Sequence, residues 1–163
     1  MTIAKPASAH TDRFVIDHLP PPDQWPDLVF DTPELQFPDR LNATAALLDQ
    51  AIADGDGPRM CIIGEHVQWT YQDLQHQVNR LANLLVRVHG VQPGNRVLLR
   101  GTNSPWLAAC WLAVWKAGAV AVGTMPLLRA KELKQIDDIL STPITMTFLY
   151  CPLSMYLDPV TSA

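Results

Sequence analysis

One stretch, Arg96 to Leu128 (RVLLRGTNSPWLAACWLAVWKAGAVAVGTMPLL), constrains the fold of this chain more than any other. Val97-Leu98-Leu99 is an apolar run too short for a helix and reads as a buried strand ended by Gly101. Ser104 offers an N-cap hydroxyl, Pro105 suits the first helical position, and Gly118 supplies a left-handed residue to close the helix, predicting about 14 helical residues. Ala119 to Val122 then reads as a second buried strand. The unit is strand, helix, strand, so the two strands must run parallel through a right-handed crossover.

The same residues have to be tested as a membrane span, because Pro105 to Leu128 is apolar apart from Lys116 and Thr124. Lys116 would sit near mid-span at a cost of roughly 2.5–3.5 kcal/mol, and Gly118 and Pro126 interrupt the helix further. The buried-helix reading is preferred. It puts Trp106, Ala109, Cys110, Ala113, Val114 and Ala117 on one face, widened by Leu107, Trp111 and Trp115, with Lys116 snorkelling to water.

At 163 residues the chain can bury one core, and a net charge of −4 with no Lys/Arg cluster leaves no electrostatic footprint for nucleic acid. Cys61, Cys110 and Cys151 are odd in number and have no ligand spacing, and the five histidines are scattered. We therefore expect reduced thiols, a cytoplasmic location and no metal site. No export signal is read in Met1 to Phe14. Residues 1–39 read as an extended Pro-rich arm. Pro20, Pro21, Pro22, Pro26, Pro33 and Pro38 exclude helix and central strand, while Trp25, Phe30 and Phe37 predict that the arm lies over a surface.

Residues 40–136 read as one α/β unit. Ala45, Leu48, Ala51 and Ile52 predict a helix from Leu41 to Ala53, with Asn42 as cap and Gly55 as stop. Met60–Ile63 and Val67–Trp69 form a small hairpin around Gly64-Glu65-His66. Thr70 and Asp73 open a longer helix through a capping-box pattern, and Leu74, Val78, Leu81, Leu85 and Val88 form its buried stripe. Arg129 to Ile139 predicts another helix. From Asp137 to Ala163 there is no Lys, Arg, Glu or Gly, so 137–163 reads as an atypical tail, with a strand about Ile144 to Tyr150.

Taken together, RLNATAALLD (Arg40–Asp49), QWTYQDL (Gln68–Leu74) and GVQPGNRVLLRGTNSPWLAACWLAVWKAGAVAVGTMPLLRAKEL (Gly90–Leu133) resemble the N-terminal region of adenylate-forming, AMP-binding acyl-CoA synthetases. Within that superfamily the likeness is to the aryl branch, benzoate-type and 2-aminobenzoate-CoA ligases, the latter through PGNRVLLRGTNSPW. The resemblance implies a partial N-terminal subdomain of the synthetase fold. The parent reaction joins an aromatic carboxylate to ATP with Mg, then passes the acyl group to coenzyme A (CoA).

That chemistry needs a Gly/Ser/Thr-rich loop with a Lys for the phosphates and a Lys on a mobile C-terminal domain. The 163 residues contain no such loop, and the likeness stops after Ile136, so the chain reads as a fragment inactive alone and binding none of these cofactors tightly. The resemblance also implies that Thr124, Met125, Pro126 and Arg129 lie where a loop meets CoA. Gly101 and the start of the Ser104 helix are a second strand-end loop with N–H groups for an anion. Two alternatives remain: a fragment of a fatty acyl-CoA synthetase, or a non-catalytic α/β module that docks on a partner or self-associates through exposed sheet edges.

Overall fold

The computed structural model describes residues 8–27, 29–64 and 66–140 in full, and the backbone of Ile144–Phe148 and Met155–Pro159. The order of elements is helix α1 (Phe14–Asp17), strands β1 (Met60–Ile63) and β2 (Gln68–Thr70), helix α2 (Tyr71–Arg87), strand β3 (Arg96–Arg100), helix α3 (Pro105–Lys116), strand β4 (Val120–Thr124), helix α4 (Ala130–Leu140) and strands β5 (Ile144–Phe148) and β6 (Met155–Pro159). Strands β1 and β2 pair antiparallel as the expected hairpin, whose tip residue Glu65 lies outside the described residues. The other four strands form one sheet in the order β4-β3-β5-β6.

The central expectation is met in detail. Strands β3 and β4 are parallel, with Leu98 opposite Val122. The Ser104 hydroxyl accepts from the Leu107 N–H, Pro105 is the first helical residue, and Gly118 takes φ 74°. Helix α3 is 12 residues long, shorter than predicted, because the chain turns at Ala117 and Gly118. Among the described residues no helix is long and apolar enough to cross a membrane.

Helix α3 carries small residues where it enters the core: Ala109, Cys110, Ala113 and Val114 are buried with Leu74, Val78, Leu81, Ala82 and Leu85 of α2. Short side chains let the two helix backbones approach and leave the volume to the leucines. Helix α2 begins with the predicted capping box, Thr70 and Asp73 each accepting the other's backbone N–H. Val88 departs from the expected stripe at 69% exposure, since the helix ends at Arg87 and Val91 fills the core beyond the turn.

The first predicted helix differs more. Residues 45–49 and 52–56 adopt the wide π form, and the turn runs past Ala53 to a left-handed Gly55. Asn42 accepts from the Thr44 and Ala45 N–H groups, as a cap should, but its amide also donates to the Trp115 and Lys116 carbonyls of α3. The Thr44 hydroxyl donates to the Leu112 carbonyl at 2.6 Å. One segment thus adds side-chain donors to carbonyls in the last turns of another helix, where the regular ladder of backbone bonds runs out.

One further expectation needs correction: rather than snorkelling free, Lys116 pairs with both Asp49 oxygens at 2.9 and 3.0 Å. In the arm, Phe37 is 61% exposed, and Val29 and Phe30 are also exposed. What anchors the N-terminal segment is Asp12, whose N–H donates to the Pro93 carbonyl and whose carboxylate accepts from Asn95 and Arg96. In the tail, β5 joins the sheet parallel to β3, with Val97 opposite Ile144, so α4 and β5 extend the α/β repeat that composition alone did not predict. Tyr150 and Cys151 lie outside the described residues.

Candidate functional site

In an open parallel sheet, ligands lie beyond the carboxyl ends of the strands, where loops leave the sheet and helix N-termini point outward. Here that edge is formed by the end of β3 at Arg100, the 101–104 turn into α3, the end of β4 at Thr124 and the 125–129 loop into α4. Thr124 belongs to the strand, since β4 runs two residues further than the sequence predicts; its hydroxyl donates to the Leu99 carbonyl at 3.3 Å. The extension brings Gly123 under Trp111, where an added Cβ would lie 2.8 Å from the indole ring. A glycine at that position lets the bulky face of α3 sit directly on the strand.

The other predicted residues fall on one loop. Met125 and Leu127 are 64% and 84% exposed, with Pro126 between them. The Leu128 N–H closes a turn on the Met125 carbonyl at 3.2 Å. Arg129 is exposed, and its N–H donates to the Glu132 carboxylate at 3.0 Å, so Glu132 caps the start of α4. At the other loop the Ser104 hydroxyl takes the Leu107 N–H, leaving fewer free donors for an anion than the bare turn suggested. Among the described residues no three His, Cys, Asp or Glu side chains are placed to hold a metal ion.

Sequence reasoning missed Arg100, which connects the two halves of this edge. Its Nη2 donates to the Pro126 carbonyl at 2.6 Å and to the Leu128 carbonyl at 3.0 Å. The signal was present as a cation closing an apolar strand run just before Gly101. At the opposite end of β3, Arg96 is only 4% exposed; it donates to Asp12 and to the Gly94 and Leu140 carbonyls and lies 4.5 Å from the centre of the Phe14 ring. By strand alternation Arg96 and Arg100 share the face of β3 opposite Val97 and Leu99.

Two carboxylates tie these parts together. The Phe14 N–H, with Arg96 and Asn95, holds the Asp12 carboxyl below the usual range despite its partial burial. Partial burial pushes the Asp49 carboxyl up, but hydrogen bonds from Gln75 and Lys116 outweigh it and leave the group below the usual range. Carboxyls lowered in the folded state stabilise it above their unfolded value of about 3.9, and that stabilisation is lost as pH falls through the folded value. The melting temperature is therefore expected to drop steeply below about pH 4, and to drop less steeply in an Asp12→Asn, Asp49→Asn double variant. Thermal melts across that range check it; identical profiles would show that neither pair matters.

A helix-covered parallel α/β unit with its strand-end loops on one side is the class of structure these elements define. The profile of the AMP-binding enzyme family matches residues 49–138, and the chain belongs to that family. The 3-hydroxybenzoate/4-hydroxybenzoate CoA ligase of Thauera aromatica is 36% identical over 100 residues, covering 61% of this chain and 19% of the relative. Among solved structures, the N-terminal subdomain of NpsA from Klebsiella oxytoca superposes with a TM-score of 0.58 at 23% identity, over 66% of this chain and 28% of that one. The anthranilate CoA ligase AuaEII in complex with anthranoyl-AMP gives a TM-score of 0.58 at 20% identity, over 63% of this chain and 19% of that one. The fold is thus that of the N-terminal subdomain of adenylate-forming enzymes, and this chain spans about a fifth of the length of its hydroxybenzoate relative.

Proposed function

We propose that this chain is the N-terminal scaffold of an ATP-dependent aryl-CoA ligase, acting in the cytoplasm on an aromatic carboxylate, 2-aminobenzoate first among them. The observation that carries the reading is the family match over residues 49–138 together with the hydroxybenzoate relative. The preference for 2-aminobenzoate comes from the likeness of PGNRVLLRGTNSPW to that branch. In the whole enzyme ATP and Mg supply the activation of the acid, and CoA accepts the acyl group. The 125–129 loop, beside Thr124 at the end of its strand, has a surface suited to CoA: exposed Met125 and Leu127 for its pantetheine arm, and Arg129 as a cation for a phosphate. The 163 residues hold no Gly/Ser/Thr-rich loop ending in Lys, so the scaffold alone is inactive in this reading.

Replacing the matched segment of the Thauera aromatica hydroxybenzoate ligase with residues 49–138 of this chain tests the assignment. The chimera is expected to fold and to form hydroxybenzoyl-CoA. A folded chimera that makes no thioester from hydroxybenzoate, benzoate or 2-aminobenzoate overturns it.

A further inference from the structure

We infer that Arg100 is a positioning residue whose task is to fix the 125–128 loop at the carboxyl edge of the sheet. Its Nη2 spans two carbonyls that bracket Leu127, at 2.6 Å from Pro126 and 3.0 Å from Leu128. The Leu127 side chain between them is turned to solvent. With both carbonyls turned onto one guanidinium, Met125, Pro126 and Leu127 are left exposed while Leu128 stays half-buried. The Pro126 ring narrows the choices further by fixing φ.

The Arg100 Nε is buried and has no hydrogen-bond partner among the described residues. Burying an unsatisfied donor is a cost, and β3 gains no hydrogen bond from it. Among the described residues the hydrogen bonds of the Arg100 side chain all go to this loop, so what it contributes is the order it imposes there. That order holds whether or not the loop meets CoA; the use of the ordered loop as a CoA platform rests on the function proposed above.

The test uses the full 163-residue chain and follows amide hydrogen exchange residue by residue. In Arg100→Ala the Leu128 amide, which closes the loop turn, is expected to exchange roughly tenfold faster or more, while Leu85, Leu98 and Val122 keep their protection. Arg100→Lys retains a donor and should recover part of the loss. An unchanged Leu128 amide, or equal acceleration at all four positions, overturns the inference. If Arg100→Ala fails to fold, the wild-type spectrum decides: hindered Arg100 guanidinium protons support the clamp, and freely rotating ones overturn it. Millimolar CoA added to the wild type separates the two readings. Shifts confined to Thr124–Arg129 support the CoA platform; their absence removes that platform while the exchange result stands on its own.

Discussion

Leu85→Ala is expected to lower the unfolding free energy by about 2–5 kcal/mol. Leu85 is fully buried in the core shared by α2 and α3, where Ala109, Cys110, Ala113 and Val114 bring the helices close together. Because those neighbours are small, they have no side-chain length with which to fill a void, and a rigid cavity should remain. Val88→Ala, on the same stretch but largely exposed, should change stability by less than about 0.5 kcal/mol. Urea unfolding checks both. The Leu85→Ala midpoint should fall at constant slope, and similar small losses for the two variants would show that the α2–α3 packing is wrong.

Gly94→Ala is expected to cost about 3 kcal/mol or more, because backbone strain of roughly 1–3 kcal/mol is joined by loss of the Asp12 anchor. Gly94 sits at φ 90°, and a Cβ there would overlap the Asp12 carbonyl oxygen and lie 2.8 Å from the His10 Cβ. Asp12 cannot move aside without giving up Pro93, Asn95 and Arg96, and Arg96 would then be left buried with a charge partner removed. The Asp12 carboxylate is itself partly exposed, which keeps the penalty below that of a fully interior pair. Gly90→Ala serves as the comparison: φ is 65° but no atom lies within 4 Å, so only strain applies. Thermal melts and limited proteolysis at residues 8–18 read the difference. Equal losses for the two glycines would rule out the N-terminal anchor.

What could be read from sequence was whatever is decided within a few residues. The Ser104, Pro105 and Gly118 punctuation of α3, the Thr70–Asp73 box of α2 and the parallel β3–β4 pair all follow from local chemistry and chain connectivity. What escaped depends on partners far apart in the chain. Nothing near Asn42 says that its amide will cap α3, nothing near Lys116 names Asp49, and nothing near Asp12 names Arg96. The π turns of 45–49 and 52–56 keep the apolar spacing of an ordinary helix, so periodicity cannot distinguish them. At the site, Met125, Pro126 and Arg129 could be placed on one strand-end loop, but Arg100 could not be joined to it. That contact crosses 26 residues and is made to backbone carbonyls, which carry no sequence signature.

If these residues are, as proposed, the scaffold of a ligase, the groups that grip triphosphate are not among them. Titrating Mg-ATP into the purified 163-residue chain by calorimetry addresses it directly. No saturable heat is predicted up to millimolar nucleotide; stoichiometric binding with a micromolar Kd would contradict the claim.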